Sequence, residues 1–256
     1  MPHLRAMARP LWPLAVLAAQ VYRAGHRSDL PSLSNQDPSG VFGNPMAPQL
    51  SIALLGDSTV TSPGVKPLDA CWPRAIAFSL SDRYRVELHS VAVGGSKARD
   101  VLARQVGAAT ALQPDIYIVS VGGNDALRGT PVARFEQEYD AILGRLTSCS
   151  DYVAVSGVGD LGSIPRLPAL ARAISRNRAR AFDRAIRRVA RLYPQVVKTD
   201  TWSPGWDEFN TNPEAIFGAD QFHASAYGHR VYTAAMQPAI DELVGRMEAD
   251  ARRDLG

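Results

Sequence analysis

Short apolar runs alternate with amphipathic stretches along the chain from residue 50 onward. The apolar runs are rich in β-branched residues and have the length of strands. Five strands are predicted in this way: Leu50–Leu55, Val86–Val93, Ile116–Val121, Val153–Val158 and Val196–Thr199. Helical patterns lie between and after them, at Ala70–Leu80, Lys97–Ala111, Val132–Leu146, Pro168–Leu192 and Ala226–Ala249. This alternation predicts an α/β fold, a three-layer α/β/α sandwich with a central five-stranded, mainly parallel sheet.

The helical pattern at Pro168–Leu192 combines one apolar stripe with many arginines. Its apolar residues recur at three- and four-residue spacing, which predicts one buried face: Ile174, Phe182, Ala185, Ile186 and Val189. The outer face then carries Arg172, Arg176, Arg178, Arg180, Arg184, Arg187, Arg188 and Arg191. Such a row is typical of a solvated helix face. The alternative is a basic surface for anionic lipid or nucleic acid.

Composition divides the chain into three segments. Residues 1–27 are apolar and basic, and residues 28–48 are rich in Ser, Pro, Gly and Asn without a helical or alternating period. The second segment is therefore predicted to be a linker. Residues 49–256 are expected to form one domain, because a chain of 256 residues that is 46% hydrophobic can bury a sizeable core within a single domain.

The N-terminal segment carries an apolar run from Leu11 to Val21, with Arg5 and Arg9 before it and Arg23 after it. The run is too short to span a bilayer comfortably, since spanning takes about 20 apolar residues. It resembles a signal peptide or an interfacial anchor, which favours export or peripheral membrane contact. A helix docked on the domain is the alternative, and it would agree with a cytoplasmic protein.

Charge and cysteine content suggest no particular partner. Lys and Arg total 28 against 25 Asp and Glu, so the formal net charge is +3. This excess is too small to indicate nucleic-acid binding without a recognition motif, and no nucleic-acid partner is expected. Cys71 and Cys149 form neither a metal-ligand cluster nor a disulfide framework. The sequence does not decide whether these two cysteines form a disulfide with each other.

The first predicted strand runs into Gly56-Asp57-Ser58. Ligands of open α/β sheets collect at the carboxyl ends of the strands, so Ser58 should lie at the active edge. The third predicted strand ends at the same edge, in Gly122-Gly123-Asn124-Asp125. There the glycines permit close backbone approach, and the Asn124 amide offers donors for a developing negative charge. Either turn could instead only cap a helix, with Asn124 bonding its own backbone.

A third polar segment, which contains Asp220 and His223, precedes the last predicted helix. A spacing of three residues within one turn lets the Asp220 carboxylate reach the His223 ring. Such a contact fixes the tautomer of a histidine base and stabilises the imidazolium formed during catalysis. The alternative is a surface acid beside a structural histidine. Taken together, the three segments supply a hydroxyl, a base, an orienting acid and an oxyanion donor.

These segments resemble the SGNH (GDSL-type) hydrolase superfamily, from about residue 50 to residue 239. Four blocks in the family's order carry the resemblance: Gly56-Asp57-Ser58, the Ser90–Ser96 loop with Gly95, Gly122–Asp125, and Asp220 with His223. Two positions depart from the family pattern. Thr59 stands where the GDSL name has Leu, and Ser90 stands where many members have Asn. These departures leave the subfamily and its substrate open.

The resemblance implies a flavodoxin-like SGNH hydrolase domain at residues 49–256 and a serine esterase or lipase activity. Ser58 would be the nucleophile, His223 the base and Asp220 its orienting acid. Ser58, Gly95 and Asn124 would form the oxyanion hole. The implied mechanism needs no metal and no organic cofactor. Its substrate would be a small-molecule ester, with a small or short acyl chain expected.

Other functions fit the same residues. An acyl-enzyme on Ser58 would also serve an O-acyltransferase, a thioesterase or a carbohydrate deacetylase. A binding protein that has lost catalysis is a further alternative, as is metal-dependent hydrolysis with Asp57, Asp220 and His223 as ligands. Aromatic residues near the expected site could hold an acyl chain or a sugar, or could only pack: Trp202, Trp206, Phe209 and Phe217.

Overall fold

The computed structural model describes residues 19–20, 22–202 and 207–254. Its sheet has six strands, β1 to β6: Gly40–Phe42, Gln49–Gly56, Arg85–Ser90, Ile116–Ser120, Val153–Val155 and Val196–Lys198. Their order across the sheet is β1-β3-β2-β4-β5-β6. β1 pairs antiparallel with β3, and the other neighbours are parallel. The central strands β2 and β4 are apolar along nearly their whole length because both faces of a parallel sheet are covered.

Helices cover both faces of this sheet. From Ser58 onward they are α1 Ser58–Thr61, α2 Trp72–Leu80, α3 Ala98–Asp100 continued by the π-helical turn Val101–Gln105 and by Val106–Ala111, α4 Gly123–Leu127, α5 Val132–Thr147, α6 Ala169–Ala190, α7 Glu208–Thr211, α8 Pro213–Ile216 and α9 Ala226–Asp254. Single 3₁₀ turns occur at Leu68–Ala70 and Leu161–Ser163.

Each face of the sheet has its own hydrophobic core, which gives the three layers. Side chains of β2 point alternately to the two faces. Ala53 and Leu55 pack with residues of α3, α5 and α6, whereas Ile52 and Leu54 pack with residues of α2 and α9. The predicted three-layer α/β/α sandwich with a mainly parallel sheet is therefore confirmed.

The sheet has one strand more than the five predicted, because β1 lies within the expected linker. β1 has only three residues, too few for a periodic signal in the sequence. It is fixed by pairing along β3, where Val41 lies opposite Glu87. Its last residue, Phe42, is buried and contacts the ring of Phe78 edge-on, with the centroids 4.8 Å apart.

The residues before β1 also belong to the domain, since Leu33–Ser39 forms a strap across the loop that follows Ser58. The Gln36 backbone N–H donates to Thr61 O at 2.8 Å, and its side-chain amide donates to Ser62 O at 2.7 Å and to Val65 O at 3.1 Å. At the other end of the strap, Ser39 Oγ accepts the Ser90 N–H at 2.9 Å. These contacts use irregular backbone, which leaves no periodic pattern in the sequence. The segment 28–48 thus differs from the linker expected.

The arginines of α6 are mostly engaged with the protein itself. Arg176 Nε lies 2.7 Å from Asp160 Oδ2, and Arg188 pairs with Glu136. Arg180 stacks over the Trp202 ring at 5.0 Å. Such contacts agree with a partly solvated helix face and leave a smaller basic surface than the sequence pattern indicates.

Cys71 is buried, Cys149 is exposed, and both thiols are free, so the two do not form a bridge. The apolar run from Leu11 to Val21 lies outside the described residues, except for residues 19 and 20. Within the described ranges, no helix combines the length and the apolar character needed to cross a membrane.

Candidate active site

Ser58 lies at the carboxyl end of β2, as its position in the sequence predicts. Gly56 ends the strand so close to β4 that a Cβ there would lie 2.1 Å from Ser120 O. The chain then turns at Asp57, whose Oδ1 accepts the Thr59 N–H at 2.9 Å and caps the short helix α1. Ser58 is the first residue of that helix. Its backbone N–H therefore has no partner within the helix.

Asn124 lies beside this turn because it follows β4, the neighbour of β2 in the sheet. Its Nδ2 donates to Asp57 Oδ2 at 3.2 Å, so the amide bonds another turn and not its own backbone. Asp57 is almost fully buried, and burial raises the pKa of its carboxyl group above the usual range, against the opposing hydrogen bonds from Thr59 and Asn124. The contact orients the amide and leaves its second N–H available.

Asp220 and His223 meet as their spacing predicts. Asp220 Oδ2 lies 2.7 Å from His223 Nδ1, and Oδ1 accepts the backbone N–H groups of Phe222 and His223 at 3.0 Å each. Burial alone would raise the pKa of Asp220, but the hydrogen bonds from His223 outweigh it and the pKa lies below the usual range. When Nδ1–H donates to the carboxylate, the Nε2 lone pair of His223 is free to accept a proton.

Ser58 and His223 line one cavity, which Asn124 lines as well. Within the described residues, no hydrogen bond joins Ser58 Oγ to the His223 ring. Catalytic hydrogen bonds are often long in free enzymes and shorten when substrate is bound. The arrangement can thus bring a hydroxyl, a base and an amide donor to one substrate.

Gly95, the last of the five predicted site residues, lies in the loop after β3. Its φ of +81° requires glycine, because L side chains rarely adopt that conformation. The backbone N–H groups of Gly95 and Ser58 make no hydrogen bond to any residue in the described ranges. Both residues and Asn124 line one groove. Two unengaged N–H groups and an oriented amide are the donor types that stabilise an oxyanion.

Two cavities meet at these residues. One, the small cavity, has a volume of about 100 Å³. The other, the groove, has a volume of about 580 Å³. They share the residues Ser58, Pro63, Asn124, Leu127, Phe222 and His223. An ester bound with its carbonyl at Ser58 would therefore have one space on each side.

The aromatic residues singled out in the sequence have different positions. Phe209 and Phe217 line the small cavity, with their rings 5.8 Å apart. Trp202 packs against the core of the sheet, and its Nε1 donates to Val158 O at 3.0 Å. Trp206 lies outside the described residues. No group of three or more His, Cys, Asp or Glu side chains within the described ranges is placed to hold a metal ion.

His229 also lines the small cavity, although no motif in the sequence marks it as a site residue. It lies in α9 and is almost completely buried, with 2% of its surface exposed. Its Nδ1 accepts the Trp72 N–H at 3.2 Å, so the neutral ring carries its proton on Nε2. Burial, aided by the charge of His223, lowers the pKa of His229 to about 3. A single histidine in an amphipathic helix gives no signal that separates it from an ordinary core residue.

We expect His229 to make the fold sensitive to acid. In the unfolded chain its pKa returns to about 6.5, so below that pH the unfolded state binds a proton that the folded state does not. The contribution of neutral His229 to the free energy of unfolding is therefore fully present above about pH 6.5. It declines as the pH falls toward about 3, by up to about 1.4 kcal/mol per pH unit. Urea unfolding of His229→Gln, which keeps an acceptor for Trp72, should show a smaller decline between about pH 7 and about pH 4.5, by roughly 2–3 kcal/mol.

The matched control is His26→Gln, at an exposed histidine near the N-terminus. It should keep the pH dependence of the unmodified chain. An equal decline in the His229→Gln variant and the unmodified chain would contradict a neutral, buried His229.

The chain is similar in sequence to a family of ester-cleaving proteins. The model of the GDSL-like Lipase/Acylhydrolase family matches residues 54–231, which include all the site residues described above. A curated relative, the GDSL-like esterase Rv1075c of Mycobacterium tuberculosis (strain ATCC 25618 / H37Rv), is 27% identical over 185 residues. That match covers 68% of this chain and 56% of the relative. The chain thus spans just over half the length of this relative.

Solved structures share the fold at low sequence identity. TesA has a TM-score of 0.61 and 20% identity, covering 75% of this chain and 99% of TesA. The acetylxylan esterase Axe2 from Geobacillus stearothermophilus has a TM-score of 0.60 and 15% identity, covering 76% of this chain and 95% of Axe2. At these identities the likeness establishes the α/β fold alone.

Proposed function

The chain belongs to the GDSL-like lipase/acylhydrolase family, and we propose that it is a serine-dependent carboxylic ester hydrolase with Ser58 as its nucleophile. The observation that carries this proposal is that His223, whose Nδ1 lies 2.7 Å from Asp220 Oδ2, lines the same cavity as Ser58. A base with a fixed tautomer beside a serine hydroxyl is the arrangement that acyl transfer requires. The name of the curated relative, an esterase, agrees with the proposal.

In the proposed reaction Ser58 Oγ attacks the ester carbonyl carbon while His223 Nε2 takes the hydroxyl proton. Asp220 holds the ring and stabilises the imidazolium. The C–O bond of the ester then breaks, and His223 gives its proton to the leaving alcohol. Water attacks the acyl-enzyme in the same way, with His223 again as the base, and releases the acid and free Ser58.

The negative charge of each tetrahedral intermediate would lie on the former carbonyl oxygen. The backbone N–H groups of Ser58 and Gly95 have no partner in the described residues, so they can donate to this oxygen without breaking a hydrogen bond. The Asn124 amide keeps one N–H for it, since the other is held by Asp57. Such preorganised donors stabilise the transition state because they need no reorganisation during the reaction.

We also propose that the acyl part is small and occupies the small cavity. The volume of about 100 Å³ is limited by apolar side chains: Leu127, Leu161, Ile164, Phe209, Phe217 and Phe222. Each buried methylene contributes about 0.8 kcal/mol to binding until the space is full. The rate should therefore rise over the first few carbons and then fall.

The test is kcat/KM for para-nitrophenyl esters from acetyl to palmitoyl. We expect a maximum at short acyl chains and a decline of more than about tenfold at octanoyl, because a chain that overfills the cavity displaces its carbonyl carbon from Ser58 Oγ. Leu161→Trp should shift the maximum to a shorter chain, whereas Leu192→Trp, at an exposed residue, should not. A maximum at long chains would contradict a small acyl site.

The products of the same assay separate hydrolysis from acyl transfer. With a competing alcohol present, a hydrolase releases mainly free acid, whereas an O-acyltransferase forms a new ester. Absence of turnover on the para-nitrophenyl esters, with turnover on thioesters or on O-acetylated sugars, would replace the proposed substrate class and keep the same nucleophile.

A further inference from the structure

The groove beside Ser58 carries positive charge that nothing in the proposed reaction uses. Three arginines line it: Arg128, Arg166 and Arg178. Among the described residues that line the groove, none is Asp or Glu. None of the three arginines forms an ion pair with a described residue. In contrast, Arg176 and Arg188 of α6 pair with Asp160 and Glu136. The wall of the groove therefore keeps its positive charge.

Two of these arginines are held by neutral groups. Arg166 donates to Ala24 O at 2.6 Å and to Gly25 O at 3.1 Å. Arg178 donates to Ala126 O at 2.6 Å and to Thr130 O at 2.7 Å. Carbonyl groups satisfy the donors but carry no net charge, so both guanidinium charges persist. The nearby Asp29 carboxylate accepts a hydrogen bond from Arg27. This bond is the main cause that lowers the pKa of Asp29, and the charge of Arg166 adds to the effect.

Arg128 is the least engaged of the three. Its side chain is exposed, and its contact in the groove is one long hydrogen bond, from Nη1 to Gly95 O at 3.4 Å. Its Nη2 lies 3.6 Å from the position that a Cβ of Gly95 would occupy. Arg128 also follows Asn124 by one helical turn, and its N–H donates to Asn124 O at 2.9 Å. The guanidinium is thus placed beside the proposed oxyanion hole with most of its donors available.

We propose that the groove binds the alcohol part of an ester that carries an anionic group, a carboxylate or a phosphate, with Arg128 as the residue that recognises it. This inference rests on the proposed function, because that function places the acyl part in the small cavity and the alcohol part on the opposite side of Ser58. Planar guanidinium donors match the oxygens of both anions. The apolar residues of the groove, such as Leu33 and Ile174, would contact the rest of the alcohol.

The test compares acetate esters whose phenol carries a different para substituent: carboxylate, phosphate, neutral carboxamide and cationic trimethylammonium. The measured quantity is the ratio of kcat/KM for each charged ester to that for the carboxamide ester, so that general effects on turnover cancel. In Arg128→Gln the ratio for at least one anion should fall by roughly five- to tenfold. Arg128→Glu should favour the cationic ester, and Arg128→Lys should keep most of the anion preference.

Arg184→Gln is the matched control, because it removes the same charge from an exposed position outside the groove. It should leave every ratio as in the unmodified protein. The anion ratio of the unmodified protein should also fall when salt rises from about 0.05 M to about 0.5 M, because exposed charges are screened.

The outcomes separate this inference from the proposed function. Hydrolysis of all the esters, with anion ratios equal in Arg128→Gln, Arg184→Gln and the unmodified protein, would overturn the anion site and leave the esterase proposal intact. Absence of hydrolysis together with absence of fluorophosphonate labelling would instead overturn the proposed function itself. If Arg128→Gln lowers only the phosphate ratio, or only the carboxylate ratio, the result supports the anion site and identifies the anion that it binds.

Discussion

Replacing Ser58 with alanine is expected to lower kcat for ester hydrolysis by roughly 10⁴- to 10⁶-fold and to abolish covalent labelling by a fluorophosphonate. Ser58 begins a helix at the carboxyl end of β2, and among the described residues it is the only Ser or Thr that lines both the small cavity and the groove. Removal of the nucleophile eliminates the acyl-enzyme route. The remaining donors alone give only the residual acceleration seen when a triad residue is lost.

The measurement combines steady-state hydrolysis of para-nitrophenyl acetate with mass spectrometry of the labelled protein. Ser148→Ala is the control, since Ser148 is exposed beyond the end of α5 and its Oγ contacts only two neighbours in sequence, Arg145 O at 2.8 Å and Cys149 Sγ at 3.8 Å. It should keep full activity and full labelling. Labelling that persists in Ser58→Ala, or hydrolysis within about tenfold of the unmodified rate, would show that another residue is the nucleophile.

The centre of the fold could be predicted because its sequence is dominated by burial. β2 and β4 are covered on both faces, so they appear as continuous apolar runs, and their predicted positions agree closely with Gln49–Gly56 and Ile116–Ser120. The edge strand β1 could not be predicted in this way. Only Phe42 of β1 is buried, and its pairing with β3 joins residues that lie more than 40 positions apart.

The strap illustrates a second limit of sequence patterns. Gln36 is a polar residue in a Ser- and Pro-rich stretch, a composition typical of linkers. Its three hydrogen bonds to the loop after Ser58 depend on where the chain returns in three dimensions. Composition indicates the absence of regular structure in such a segment, but it carries no information about irregular contacts.

More of the candidate site than of the strap could be predicted from the sequence, because its contacts join residues that are close in sequence or that follow adjacent strands. The contact between Asp220 and His223 needs only three residues of chain, and the Asn124 turn follows a strand adjacent to β2. Their roles in catalysis stay predictions until variants are measured. His229 and Arg128 were missed for different reasons. In the sequence His229 cannot be distinguished from an ordinary core residue of a helix. Arg128, one turn after Asn124, cannot be distinguished from an ordinary exposed arginine.

Asn124 offers the sharpest test of the proposed oxyanion hole. Asn124→Ala should lower kcat by about 10²–10³-fold with little change in KM, because its amide would act on charge that develops only in the transition state. In the free protein one N–H of the amide is bonded to Asp57 Oδ2 at 3.2 Å, which fixes the direction of the other. A preorganised donor of this kind contributes more than a mobile one, since no reorientation is needed as the charge forms.

The substitution also removes a hydrogen-bond donor from the buried Asp57 carboxyl group, so a loss of stability must be separated from a loss of catalysis. Thermal unfolding of Asn124→Ala measures the first effect, and kcat at a temperature well below the unfolding midpoint measures the second. Asp57→Ala removes the orienting contact together with the cap on α1, and in this variant the Asn124 amide stays present but is no longer held. Asn177→Ala, at an exposed asparagine of α6, should change neither quantity. A raised KM with an unchanged kcat in Asn124→Ala would instead make Asn124 an ordinary substrate contact, because uniform binding of substrate and transition state alters KM alone.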